Sequence, residues 1–310
     1  MLLNIHQFLL SRSSYTVVSG YQHYIMSSST GGKKRKIEAS DDVFEYLGKG
    51  QIVPKNVTHV RFHPSVVKVD NNAFDSCREL RKVVLNEGLQ KIGSSAFYRC
   101  TSLESITLPS TVTEISQSAF NRCTSLREIV LNKGLRKVVA AAFWDCSSLQ
   151  SIVIPSSVSE IGRSAFEGCN SLRTVVFSDS IKKRTALTAY LINNGLKKIE
   201  ANTFSDCKSL ESITLPSTLT EIGERAFDRC KKLTEVELKE GLQKINQRAF
   251  YENKALKRIV IPNTVNSIGS MAFKGCTELK EVTLKHNVKT MGDNVFEGCP
   301  SSSAVITPTK

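Results

Sequence analysis

Nine cysteines punctuate this chain of 310 residues: Cys77, Cys100, Cys123, Cys146, Cys169, Cys207, Cys230, Cys276 and Cys299. Each stands three residues after a phenylalanine, in near-copies such as AFYRCTSL, AFNRCTSL and AFWDCSSL. Thiols placed so regularly could be nucleophiles, metal ligands, halves of disulfides or packing units. A zinc site needs two to four converging ligands, typically in C-x-x-C pairs, and no such pair occurs. A thiol nucleophile needs a histidine partner, yet His6, His23, His59, His63 and His286 lie toward the ends of the chain. A disulfide framework needs an oxidising compartment and gains from an even count, whereas the count here is nine. The remaining reading is a small apolar side chain buried at a tight corner and packed on its equivalent in the next repeat. Asn253, which stands in the place of one cysteine, suits the same corner by bonding turn backbone. No phosphate-binding loop, G-x-G-x-x-G, G-x-S-x-G or metal-ligand spacing is present. No enzymatic activity, catalytic residue, cofactor or metal is therefore expected.

The elements that carry these thiols are set by the phenylalanines. Phe74, Phe97, Phe120, Phe143, Phe166, Phe204, Phe227, Phe250, Phe273 and Phe296 recur every 23 residues, with one interval of 38. Self-similarity at this period marks a solenoid, in which each unit buries its apolar face only against its neighbours. In the unit Leu103–Ser125, Leu103, Ile106 and Leu108 alternate as in a short strand that Pro109 ends. Val112 and Ile115 form a second apolar pair, and Ala119, Phe120 and Cys123 a third. Stacking these units predicts a continuous column of phenylalanine rings.

The pattern C-x-S-L-x-x-I-x-L-P-x-x-V-x-x-I-x-x-x-A-F, as in Cys100–Phe120, resembles the BspA-like class of leucine-rich repeats. The resemblance covers residues 57–300. It implies an α/β-type repeat solenoid: a right-handed superhelix of ten 23-residue coils with a parallel β-sheet on the concave face. Members of that class are mostly described as surface or interaction proteins of microbes.

The chain also alternates. The residue before the second apolar position reads Lys91, Glu114, Lys137, Glu160, Lys198, Glu221, Lys244, with the sign flipping at each step. Wordings such as NEGLQKI and PSTVTEI alternate with it, so the full period is 46 residues. Opposite charges in adjacent coils attract, which predicts a ladder that sets register.

Four segments lie outside this regularity. Residues 1–40 are expected to be a disordered basic tail, because Ser, Thr, Gly and Lys bury too little to offset ordering. Within it, residues 1–25 read as a gene-model extension. Residues 41–56 are expected to cap the array of residues 57–301, and residues 302–310 to form a flexible tail. A 15-residue insertion, Ser178 to Ile192, accounts for the long interval.

Candidate partner-contacting residues fall in two places. Val84, Thr107, Val130, Val153, Val176 and Thr214 occupy the outward strand position between two inward ones. Lys182, Lys183, Arg184 and Tyr190 give the insertion the basic and aromatic content of an anchor. Lys33, Lys34, Arg35 and Lys36 are a candidate nuclear-import signal, with an import receptor as the partner.

The formal charge is +13, but no basic stripe is interleaved with aromatics, which argues against nucleic-acid recognition by the repeats. No run of 18 apolar residues exists to span a membrane. The leading expectation is an intracellular (nuclear or cytoplasmic) scaffold for a protein partner. The alternatives are a secreted or cell-surface adhesion protein and a nuclear nucleic-acid-associated protein.

Overall fold

The computed structural model describes residues 43–178, 195–284, 288–300 and 304–306. They form a parallel-strand β-solenoid of about nine turns, each of about 23 residues. Every turn contributes one long and one short strand, and the long strands fall into four hydrogen-bonded parallel sheets. The longer strands, such as Ser105–Thr107, Glu128–Val130 and Ser151–Ile154, pair in parallel with their equivalents in adjacent coils. The short strands, such as Glu114–Ile115 and Lys137–Val138, form a second parallel ladder. Inward residues of the long strands are buried and their neighbours exposed, as period-two alternation requires.

The phenylalanine column is present. From Phe74 to Phe296 the rings make nine stacked steps with centroids 5.0–5.4 Å apart and planes within 12°. Ten rings are joined by nine steps, so the solenoid completes about nine turns from the first ring to the last, and the last ring, Phe296, is only partly buried.

The α/β label does not hold: among the described residues there is no helix. The corner that carries the phenylalanine is too sharply turned for one. Two residues before and two after Phe97 the backbone is left-handed, at Ser95 (φ 52°) and Arg99 (φ 55°), and the same pair flanks Phe120 at Ser118 and Arg122. A right-handed helix cannot continue through a positive φ. The corner amides divide their work instead. Those of Ala96, Tyr98 and Cys100 bond carbonyls three residues back in their own coil. Those of Ser95, Phe97 and Arg99 bond Gln117, Ala119 and Asn121 in the next coil. The corner is thus a third inter-coil ladder that pairs backbone groups no helix could satisfy.

The 46-residue period has a structural cause beyond charge. Asn132 donates from Nδ2 to the carbonyls of Pro109 (2.7 Å) and Val112 (2.9 Å) in the preceding coil. In the other turn type, Thr111 donates from Oγ1 to the Leu89 carbonyl at 2.7 Å and accepts from the Gly88 amide. Gly88 adopts φ 102°, where a side chain would be strained. Asn-x-Gly and Pro-Ser-Thr turns therefore interlock, and each type needs the other beside it.

At the N-terminal end, strand Val43–Tyr46 pairs in parallel with His59–Phe62. Tyr46 is fully buried against the rings of Phe62 (4.8 Å) and Phe74 (5.0 Å). Its hydroxyl donates to Asp70 at 3.1 Å, and burial pushes its pKa up to about 12. The Gln51 side chain accepts from the Leu47 amide and donates to the Glu45 carbonyl, so it covers polar groups of this strand as a neighbouring strand would. At the other end Ala304–Ile306 pairs in parallel with Glu281–Thr283. The column runs unbroken past the insertion: Phe166 and Phe204 stack at 5.4 Å. The short-strand sheet does not. It divides into two five-stranded sheets, one ending at Glu160–Ile161 and the other beginning at Lys198–Ile199.

Candidate functional site

The cysteines sit where the phenylalanine corner turns back toward the long strand. Eight are buried and all nine are free thiols. Eight of the nine corners bring a thiol to the carbonyl of the preceding coil's phenylalanine, as in Cys100 Sγ to Phe74 O (3.1 Å) and Cys230 Sγ to Phe204 O (3.1 Å), while Cys77 faces the Pro54 carbonyl. Burial pushes the thiols of Cys100, Cys123, Cys146, Cys169, Cys207 and Cys230 well above the ordinary range. A buried thiol held protonated is a poor nucleophile and a poor metal ligand. Among the described residues no group of three His, Cys, Asp or Glu could hold a metal ion.

The outward positions of the long strands fall in register within four short parallel sheets. Register places Thr107 opposite Val130, Val153 opposite Val176, and Val176 opposite Thr214. Val84 lies opposite Arg61 in the first coils. Val84, Val130 and Val153 are 47%, 44% and 49% exposed, so these sheets present β-branched side chains to solvent. Val260, 44% exposed and opposite Thr283, stands in the C-terminal sheet, beyond Glu237 at the same position of the coil before it. It occupies the same repeat position as Val153, so the 23-residue spacing marks it as well. Arg258 and Glu235 form an ion pair at 3.6 Å between adjacent long strands of two neighbouring sheets. The candidates Lys182, Lys183, Arg184 and Tyr190, and the tetrad Lys33–Lys36, lie outside the described residues.

The charge ladder forms in two runs. Lys91 pairs with Glu114 at 2.7 Å, Lys137 with Glu160 at 3.0 Å and Lys198 with Glu221 at 3.3 Å. Burial tends to raise the Glu114 carboxyl, but hydrogen bonds from Lys91 and Ser116 outweigh it and hold the group below the usual range. The expected step from Glu160 to Lys198 is absent as a strand pair, because the short-strand sheet breaks at the insertion.

One feature of the surface has no counterpart in the sequence reading. A polar cleft of about 400 Å³ opens beside three successive corners, lined by Asp206, Arg225, Asp228, Arg229, Arg248 and Tyr251 among others. Asp228 is only 3% exposed, and burial raises its carboxyl above the usual range despite Arg229 Nε at 3.4 Å. Arg248 holds its guanidinium 5.3 Å from the centre of the Tyr251 ring. The cleft joins residues 22 to 25 apart in sequence, so only coil stacking reveals it.

The model of the BspA type leucine rich repeat region matches six copies, over residues 53–173 and 174–303. The chain belongs to this family. Solved structures carry the same fold. A leucine-rich repeat protein from Bacteroides ovatus is 26% identical, with a TM-score of 0.69, over 90% of this chain and 69% of that one. The leucine-rich repeat protein of T. pallidum is 28% identical, with a TM-score of 0.50, over 62% of this chain and 83% of that one. A comparison with curated proteins finds no match. No helix of the described residues is long and apolar enough to cross a membrane.

Proposed function

We propose that this chain is a non-enzymatic scaffold whose long-strand face binds a protein partner, in the manner of a surface adhesion module. The observation that carries the reading is the exposure of Val84, Val130, Val153 and Val260 at one repeat position of the long strands, each on a different short parallel sheet of the solenoid. Val130 lies in register with Thr107 and Val153 with Val176, so β-branched side chains adjoin one another here rather than being scattered singly. A preformed patch loses little conformational entropy when a partner docks.

Family membership favours the surface reading over the intracellular one. Two grounds pointed inward: Lys33–Lys36 to a nuclear role, and nine thiols, an odd count, against a disulfide framework in an oxidising compartment. Burial weakens the second ground: eight thiols are shielded by the corner and bonded to carbonyls, so an oxidising medium reaches them poorly. The nuclear readings keep only the tetrad and the net charge.

A photo-activated cross-linking residue at position 130 or 153, introduced in the native cell, tests the binding face. A discrete cross-linked partner from these positions, and none from Gln117 on the corner, supports the reading. Equal cross-linking from both faces overturns it. Protease treatment of intact cells tests the surface assignment separately, since a surface array is cleaved without lysis.

A further inference from the structure

We propose that Lys208, Lys231 and Lys254 form a binding row for a linear anionic polysaccharide. Each lysine directly follows the corner residue of its coil, namely Cys207, Cys230 and Asn253, so the three occupy equivalent places in three successive coils. The phenylalanines of those coils stack at 5.4 and 5.2 Å, which sets the spacing of the row. All three side chains are exposed. Among the described residues none of the three meets a carboxylate. Lys232, Lys257 and Lys280 widen the basic surface on the side toward the long strands.

The contrast with the short-strand sheet makes the row informative. There the chain places opposite charges across each coil step and pairs them, as in Lys198 with Glu221. Here it places like charges across the same step. Like charges directly opposite one another destabilise adjacent strands. Nothing in the fold demands lysine at this position, because other coils carry Thr101, Thr124, Ser147 and Thr277 there. The repulsion is relieved when a counter-charge arrives.

The shape of the row selects the partner. Three cations at a regular step of about 5 Å, on a straight line, match a polymer with regularly repeated anionic groups. Among the described residues no aromatic ring beside the row is free to stack a nucleic-acid base, since Tyr251 lies on the cleft side beneath Arg248. The flanking Ser209 and Ala255 supply no apolar anchor for an acidic protein or for insertion into a lipid surface. The row thus offers aligned positive charge without an apolar anchor, bounded by the exposed Glu211 and Glu278, which suits a sulfated or carboxylated glycan chain.

The test uses the full chain and heparin as the probe polysaccharide. The triple variant Lys208→Thr/Lys231→Thr/Lys254→Thr takes the residue that other coils already carry, and its circular dichroism melt reports whether it folds. A control, Lys68→Thr/Lys133→Thr/Lys197→Thr, removes the same charge elsewhere. Loss of three contacts should weaken heparin binding about tenfold or more and flatten its salt dependence, with the control changing less than about twofold. Equal weakening in the two variants would show attraction by net charge alone and overturn the site. Absence of heparin binding by the native chain, or tighter binding of single-stranded DNA of matched charge, overturns the polysaccharide assignment.

Discussion

The thiol of Cys146 donates a hydrogen bond of 3.1 Å to the carbonyl oxygen of Phe120, one coil back. That oxygen also accepts from the amide of Cys123 in its own coil at 3.1 Å. The second acceptor site of a buried carbonyl is thereby filled by the one small side chain that is mostly apolar yet carries a weak donor. This accounts for the three-residue spacing of phenylalanine and cysteine better than packing alone. Replacing Cys146 with alanine should cost about 1–2 kcal/mol, from a lost sulfur and an under-satisfied carbonyl. Urea denaturation measures it, and a variant as stable as the native chain would reduce the thiol to a space-filler.

Asn253 is the exception that tests the rule. It is fully buried, and neither its Nδ2 nor its Oδ1 has a hydrogen-bond partner. Asn253→Cys should stabilise the array by about 1–3 kcal/mol, because it removes two unsatisfied polar atoms and supplies a thiol to the Phe227 carbonyl. A lower melting temperature for this variant would mean that the amide has partners in solution.

The thiols should make the fold sensitive to alkali. Burial raises their folded pKa, so above the ordinary thiol range of about 8.5 the unfolded chain releases protons that the folded chain keeps. The unfolded state then binds fewer protons, and stability falls as pH rises. Each buried thiol contributes up to about 1.4 kcal/mol per pH unit once its unfolded counterpart is ionised. The denaturation midpoint should drop steeply between pH 8.5 and 10, and alkylation of the folded protein at pH 7 should be slow. A midpoint that stays level over that range, or rapid labelling of most thiols, would refute the buried corner.

Phe143 lies between Phe120 at 5.3 Å and Phe166 at 5.2 Å, with both ring pairs stacked. Phe143→Ala opens a cavity flanked by two coils and should cost about 3–5 kcal/mol. Loss of coil-to-coil coupling should also split the unfolding transition, since stability in such arrays is nearest-neighbour. A single, unshifted transition would show that the column can close around the gap.

Glu114 stands in register between Lys91 and Lys137. Glu114→Lys would place three cations in line and should lower stability by about 0.5–1 kcal/mol at low ionic strength, discounted for solvent screening, and by less in high salt. Melting curves at two salt concentrations decide the matter, and an identical loss in both would leave the alternation without an electrostatic role.

Deletion of Ser178–Ile192 restores the 23-residue step. Cys207 already bonds the Phe166 carbonyl at 3.3 Å across the insertion, so the shortened chain should fold with equal or greater stability. It should also let the short-strand sheet close between Glu160 and Lys198. An unfolded product would show that the segment holds the array together.

The repeat, the inward residues, the ring column and the thiol corner were all legible in the sequence, because in a solenoid residues 23 apart become neighbours and periodicity is itself a contact map. Family membership followed from the same pattern. The absence of a helix was not legible, since left-handed φ at residues as varied as Ser95, Arg99 and Ala141 follows from inter-coil hydrogen bonding and not from side-chain type. Nor was the break in the charge ladder: Glu160 and Lys198 alternate in sequence, but their pairing depends on whether the backbone around the insertion brings two strands within bonding distance. The cleft at Asp228 and the lysine row at Lys208, Lys231 and Lys254 belong to the same class. Periodicity states which residues align, whereas exposure, pairing and the approach of unlike positions from different coils are decided only when the chain winds on itself.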